Sequence, residues 1–300
     1  MESTLDWILK IAAAVGFLYL VLSLFNVHWL LRVRILSAMA VGAALIGFLL
    51  WMRVAPADPL GPVTLFGTTI SWTDGLLCIL AAFITGAGGY LVSYPYGKVM
   101  GLLAVPTGLG IWALQSGTMR NLLLTRSTLE QRTAVYEFLR LETLFWIALL
   151  LFGAAGCFLA GKILPPKVDP LAEDRKKLNP NRFISMIVAV LASFVIAQFA
   201  IGLFAQDVRY PDAQIGSVTG QPGSRQIAFA VFASFTIAGF LIKYFLDCDH
   251  YLAVAAGPIL YYFVISKTCG PDILQYMTEN WAVTYFPLSL IHISEPTRPY

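Results

Sequence analysis

Charged residues are scarce in this chain. Asp, Glu, Lys and Arg make up 12% of its 300 residues, about half the ~25% usual in soluble domains, whereas 58% are hydrophobic and the mean hydropathy is +0.73. A soluble globule of this size could not hide that much apolar surface. The composition therefore excludes a soluble enzyme, a disordered chain and a nucleic-acid-binding module, and it indicates a polytopic integral membrane protein.

Histidine and cysteine are also few, and the familiar catalytic motifs are missing. The chain has three His and four Cys, with no C-x-x-C or C-x-x-C-H sequence. Neither a haem nor a zinc centre has local support, so we expect no cofactor. G-x-S-x-G, H-E-x-x-H and P-loop sequences do not occur either, which counts against a serine hydrolase, a zinc protease and a nucleotide-driven pump.

Long hydrophobic runs dominate the chain instead. A bilayer core of ~30 Å needs roughly 20 apolar helical residues, because backbone groups in hydrocarbon must be paired within the segment. The prediction is an all-α, polytopic transmembrane helix bundle with about eight complete spans and a truncated ninth that begins near Trp281. The eight predicted spans are residues 7–25, 35–52, 75–94, 99–115, 143–161, 183–204, 226–246 and 251–268.

The C-terminal end differs in character from the rest. Residues 288–298 read LSLIHISEPTR, and all eleven match the in-frame translation of a transposase-type sequencing-library adapter. We therefore expect residues 1–287 to form a single integral membrane domain that is a fragment, cut within its last helix, and residues 288–300 to be a non-native tail. His292 in this tail then carries no biological meaning.

Basic residues divide almost evenly between the loops of the two membrane faces, so their total does not fix the orientation. The densest run, PPKVDPLAEDRKKLNPNR at 165–182, favours a cytoplasmic position for that loop and an outside N-terminus. The expected location is a bacterial inner (cytoplasmic) membrane, where the lipid bilayer is the partner and nucleic acid is not. A homo-oligomer and a complex with other membrane subunits both stay open.

Residues outside the spans predict one further helix. Ser127 and Glu130 form a capping-box pattern that starts a helix up to Glu142. Its polar stripe faces away from a mostly apolar side and consists of Glu130, Thr133, Glu137 and Arg140. Such a helix either lies in the headgroup layer or extends the following span. Residues 60–74 have the composition of a short extended hairpin, and 205–225 that of a Gly- and Pro-containing loop.

The densest ionisable group lies in the turn between spans 226–246 and 251–268. Asp247, Asp249 and His250 there, with His28 on the same predicted membrane face, have the oxygen and imidazole groups that hold a hard divalent cation. The alternative is an ordinary polar turn, because a metal site needs further ligands that the sequence does not supply. The sequence therefore assigns no metal site, and the catalytic residues, if the protein has any, stay unknown.

Glycine and proline within the spans outline a second candidate site. Pro106 and Gly108 in the fourth span, and Gly257 with Pro258 in the eighth, mark places where a helix can kink or break. Interrupted helices expose backbone groups to substrate in transporters, so these positions and Gln198 outline a candidate cavity. The alternative is ordinary packing, since Gly and Pro are common in membrane helices.

Charge is almost absent from the predicted spans, which counts against a proton relay or a voltage sensor. The leading hypothesis is a non-enzymatic, permease-like or channel-like protein for a neutral solute. Two alternatives stay open. One is a membrane-embedded enzyme that acts on a lipid-linked substrate with Asp247, Asp249 and His250. The other is an accessory subunit that anchors a membrane complex through the helix at 127–142.

Overall fold

The computed structural model describes residues 15–16, 19, 29–56, 70–96, 101–117, 119–126, 128–165, 180–206, 208–212, 216–220, 222–248 and 251–280. These residues are predominantly helical. The helices are α1 Trp29–Val54, α2 Trp72–Ser93, α3 Ala104–Gln115, α4 Met119–Leu124, α5 Leu129–Ile163, α6 Pro180–Phe204, α7 Ser224–Leu246, α8 Tyr251–Thr268 and α9 Pro271–Asn280.

Five of the described helices are long and apolar enough to cross a membrane, which fits an integral membrane protein. They are α1, α2, α5, and the segments Phe183–Phe204 of α6 and Gln226–Leu246 of α7. Leu252–Thr268 and Pro271–Glu279 pass the same test only as a pair, bent by 79°, and would make a sixth span. The predicted helical membrane class is supported, whereas the predicted count of eight spans is not confirmed.

The difference in count has identifiable sources. Within the predicted fourth span, 99–115, the described residues form the 12-residue helix α3, which by itself is too short to cross a bilayer as one straight helix. Pro106 lies in the first turn of α3, where its missing N–H breaks no helical hydrogen bond. The predicted first span at 7–25, the segment that begins at Trp281 and the tail at 288–300 lie outside the described residues, apart from three positions within 7–25.

Helix α5 joins two predicted elements into one. It runs without interruption for 35 residues, so the segment up to Glu142 extends the following span, as one of the two alternatives predicted. The Thr128 hydroxyl accepts a hydrogen bond from the Gln131 N–H at 3.3 Å and caps the first turn. Ser127, the predicted cap, lies outside the described residues.

A β-hairpin occupies the predicted loop at 205–225. Strand β1, Val208–Asp212, pairs antiparallel with strand β2, Gly216–Gly220, and Tyr210 lies opposite Val218. The predicted hairpin at 60–74 is wrong at its end, because Ser71 caps α2 through the Asp74 N–H and Trp72 begins that helix. Most of that predicted hairpin lies outside the described residues.

The contacts of the chain divide into two compact units. Unit 1 contains α1, α2, α3 and the part of α5 from Ala148 onward. Its helices approach through glycines whose added Cβ would meet backbone oxygen: Gly42 at 1.7 Å from Ala104 and Gly86 at 1.9 Å from Gly153. Close backbone contact between small residues is the usual packing mode of membrane helices.

Unit 2 contains α4, the first part of α5, and α6 to α9. Its core consists of three groups of buried side chains. The first joins α4, α5, α8 and α9 through Leu122, Leu123, Val135, Tyr136, Leu139, Ile265 and Leu274. The second joins α6, α7 and the start of α8 through Ala189, Ala238, Ile242, Cys248, Leu252 and Ala253. The third joins α6 and α8 through Ala197, Ile201, Leu260 and Val264.

Candidate functional site

Asp247 has a structural role at the end of α7. Its φ of 47° is left-handed, a conformation that commonly ends helices and that Asp adopts more readily than most residues. Its Oδ1 accepts a hydrogen bond from the Lys243 Nζ at 2.6 Å. Asp249, His250 and His28 lie outside the described residues, and within the described part no group of three or more His, Cys, Asp and Glu is placed to hold a metal ion.

Gly108 is a packing residue in unit 1. A Cβ at this position would lie 2.5 Å from the Gly42 backbone oxygen and 2.7 Å from Ile46 Cβ, so α3 and α1 touch there. Pro106 stands one half-turn earlier at the start of α3. The geometry at this pair therefore agrees with the packing alternative for Gly108, and a cavity there stays a prediction.

Gln198, Gly257 and Pro258 belong to unit 2, on the two helices α6 and α8 that pack together. Helix α8 continues through Pro258 and ends ten residues later, so the described break follows Thr268 instead of Gly257. A Cβ on Gly257 would meet Phe235 at 3.5 Å, an ordinary contact. The cavity outlined by Gln198, Gly257 and Pro258 stays a prediction.

The most unusual described residue is one that sequence reasoning passed over. Glu142 is 1% exposed and lies within the candidate span α5, directly before its uninterrupted apolar run. Residues three or four positions apart share one face of a helix. The buried face of α5 follows this spacing through Arg132, Val135, Tyr136, Leu139, Glu142, Thr143 and Leu149.

Among the described residues, one oxygen of the Glu142 carboxyl group has a hydrogen-bond partner and the other has none. The Trp146 Nε1–H, one turn further along α5, donates to Glu142 Oε1 at 3.1 Å. Glu142 Oε2 is buried and has no partner in the described part of the chain. A buried polar atom without a partner costs about 1–3 kcal/mol, and the cost is larger for a charged group, so this carboxyl oxygen calls for a physical explanation.

A series of polar side chains on α5 and α8 leads away from this carboxyl group. Tyr261 on α8 is an electrostatic neighbour of both Glu142 and Tyr136, and it packs against the core group that contains Tyr136. Tyr136 in turn neighbours Arg132, which is 3% exposed and donates from Nε to the Arg126 backbone oxygen at 3.2 Å. We call Arg132, Tyr136, Glu142, Trp146 and Tyr261 the Glu142 cluster.

The Glu142 cluster has the chemistry of a proton site. An ionised carboxylate in an apolar surrounding requires a cation beside it, and a protonated one requires an acceptor for its O–H. Neither requirement is met at Oε2 among the described residues. A proton needs only this one oxygen, whereas a metal cation needs several oxygen or nitrogen ligands, and the described part of the chain gathers no such group.

The spacing of polar residues along α5 is the sequence signal that could have identified Glu142 as a buried residue. Its position 10 residues after Arg132 and four before Trp146 places all three on one helical face. That face becomes visible only if residues 129–163 are treated as one helix, because a boundary after Glu142 leaves it at an exposed end.

No protein-family model, no curated protein and no solved structure matches this chain. The Glu142 cluster is therefore the observation on which a function can rest.

Proposed function

We propose that this protein is a membrane permease that moves a small neutral solute together with a proton bound at Glu142. Five helices suited to crossing a bilayer support the membrane part of the proposal. The observation that carries the transport part is the buried, unpartnered Oε2 of Glu142. Acids within membrane segments are costly and are retained mainly for ion and proton movement.

The surroundings of Glu142 favour proton coupling over a purely structural acid. The Trp146 N–H fixes the carboxyl group through Oε1 and leaves Oε2 for exchange. Tyr261 brings a hydroxyl from another helix into the electrostatic neighbourhood of the same carboxyl group, without a hydrogen bond to Oε2 among the described residues. A general acid or base must come within hydrogen-bond reach of the proton that it transfers, so proton transfer between the two groups would require a small side-chain movement.

The two alternatives have less support in the described residues. The enzyme alternative relies on Asp247, Asp249 and His250. Asp247 is held in an ion pair with Lys243, and Asp249 and His250 lie outside the described residues. For an accessory subunit, the polar stripe of α5 is exposed at Glu130 and Glu137, which any solvated helix shows. Location in a bacterial inner membrane and the oligomeric state stay predictions.

Reconstituted liposomes provide the test. The full chain is incorporated with a pH-sensitive dye inside, and a panel of neutral sugars, polyols and amides is added outside. We expect one class of solute to change the internal pH in wild-type liposomes. Glu142→Gln keeps the side-chain shape and the acceptor for Trp146 but cannot exchange a proton, so solute-driven proton movement should stop.

Glu137→Gln is the matched control, because Glu137 is an exposed acid five residues earlier on the same helix. It should transport as the wild type does. Trp146→Phe, which removes the donor to Oε1 and keeps an aromatic ring beside Phe145, should slow proton movement without abolishing it. Coupled movement that persists in Glu142→Gln, or wild-type liposomes that move no solute of the panel, would overturn the proposal.

A further inference from the structure

A narrow groove runs between α1 and α2 in unit 1. It holds about 240 Å³ and is lined by Leu45, Leu49, Leu50, Leu77, Ala81, Ile84 and Arg53. Cavities that enclose a drug-sized solute usually hold about 300–1,000 Å³. This groove is smaller, and its walls are apolar except at Arg53, so it suits a thin flexible hydrocarbon chain better than a compact polar molecule.

Arg53 stands at one end of the groove as the second-last residue of α1. A long basic side chain at the end of a membrane helix reaches the headgroup layer. The Arg53 side chain is 67% exposed, and its Nε–H donates to Asp74 Oδ1 at 3.1 Å. A guanidinium group has five N–H donors, so four of them have no partner in the described part of the chain.

Asp74 positions the Arg53 side chain through one hydrogen bond and leaves the other N–H donors of Arg53 available to a ligand. The Asp74 Oδ2 accepts a hydrogen bond from the Ser71 hydroxyl at 2.6 Å, and the Asp74 N–H donates to the same hydroxyl oxygen at 3.1 Å. The carboxylate is therefore fixed in the first turn of α2 and contacts only one edge of the guanidinium group. The free N–H groups form the fork geometry that binds phosphate oxygens in pairs.

We propose that this groove binds one anionic glycerophospholipid, with an acyl chain between α1 and α2 and the phosphate at Arg53. Along α2, Asp74 and Ile84 are ten residues apart, roughly 15 Å at 1.5 Å per residue, which provides an apolar track that starts at the phosphate position. Choline would place a second cation beside Arg53, whereas an anionic headgroup adds attraction. The site is independent of the Glu142 cluster.

Lipid titration of the purified full chain tests the site. Delipidated protein in detergent is titrated with phosphatidylglycerol and, separately, with phosphatidylcholine of the same acyl chains, and bound lipid is counted by native mass spectrometry. We expect preferential binding of phosphatidylglycerol that weakens as salt is added. Arg53→Gln should lower the affinity for phosphatidylglycerol about fivefold, which is the contribution of one basic side chain to binding at an anionic bilayer surface.

Two matched controls separate this site from general lipid adsorption. Arg140→Gln removes an exposed Arg from α5 and should leave the affinity unchanged. Ala81→Leu fills the groove while Arg53 is retained, and it should also reduce binding, whereas Ala228→Leu at an exposed position of α7 should not. Equal binding of the two lipids, or full binding by Arg53→Gln or by a folded Ala81→Leu variant, would overturn the proposal. Circular dichroism of each variant checks its helix content.

Discussion

The glycine contacts of unit 1 and one core group of unit 2 are packed by opposite means. Unit 1 brings helix backbones together through glycine, with Gly42, Gly86 and Gly156 at positions where an added Cβ would lie within 2.0 Å of a backbone oxygen on another helix. The core group of α4, α5, α8 and α9 in unit 2 is filled by large side chains such as Tyr136 and Leu139. These glycine contacts are close because the residues are small, whereas this one core group of unit 2 is filled because its residues are large.

This difference predicts opposite sensitivities to mutation. A contact between two backbones has no room for an added methyl group. A glycine at such a contact also has no side chain that a mutation could shorten. A core of large side chains leaves a void when one of them is shortened. Added volume should therefore harm unit 1, and lost volume should harm this part of unit 2.

The largest expected effect is that of Leu139→Ala in unit 2. Leu139 is 1% exposed and contacts the core group that joins four helices, so the cavity should lower the free energy of unfolding by about 2–5 kcal/mol. Denaturant titration of the purified protein in detergent, followed by circular dichroism, measures the change. Leu141→Ala is the control on the same helix, because Leu141 is 61% exposed. If Leu139→Ala and Leu141→Ala lost the same free energy of unfolding, large buried side chains would not be what stabilises this core group.

The next effect is that of Gly86→Ala in unit 1. The new methyl group would lie 1.9 Å from the Gly153 backbone oxygen, so α2 and α5 must separate, at a cost of about 1–3 kcal/mol. Gly88→Ala is the control two residues further on, where the added Cβ meets only Val41 at 3.4 Å. The melting temperature in detergent should fall for Gly86→Ala alone. An unchanged melting temperature would mean that glycine contacts do not hold unit 1 together.

The smallest effects should be alike in the two units. Ser71 caps α2 in unit 1, and Thr128 caps α5 in unit 2, each through one backbone N–H in the first turn. Replacing either by Ala should cost about 1 kcal/mol, because a cap acts locally and does not depend on the packing mode around it. The same denaturant titration measures both variants. A loss several times larger at one cap would show that its helix end also carries tertiary contacts.

Apolar runs were sufficient to predict the membrane class and several helices. The predicted span 183–204 and the segment Phe183–Phe204 coincide, because about 20 apolar residues in succession can hardly be anything other than a buried or membrane helix. The bend after α8 was also present in the sequence as Gly270–Pro271, a pair that ends one helix and begins another. It fell just beyond the predicted span 251–268.

Glu142 was not predicted as a buried residue, for a physical reason. A search for apolar runs ends a span at the first charge, whereas backbone hydrogen bonding continues a helix regardless of side-chain polarity. The boundary therefore fell between Glu142 and Thr143, and the helix crosses it. The electrostatic neighbour on α8, Tyr261, is 119 positions away in the chain, and only the fold brings it near Glu142.

Helix α5 is long enough for its position in the bilayer to depend on membrane thickness. Its 35 residues extend roughly 52 Å, well beyond the ~30 Å of a bilayer core. The excess must project into the headgroup layer and water or be accommodated by tilt. Because Glu142 lies where the apolar run begins, a thicker bilayer would draw its carboxyl group inward, and a thinner one would bring it closer to water. We therefore expect the lipid composition of the bilayer to change how far the Glu142 carboxyl group lies from water.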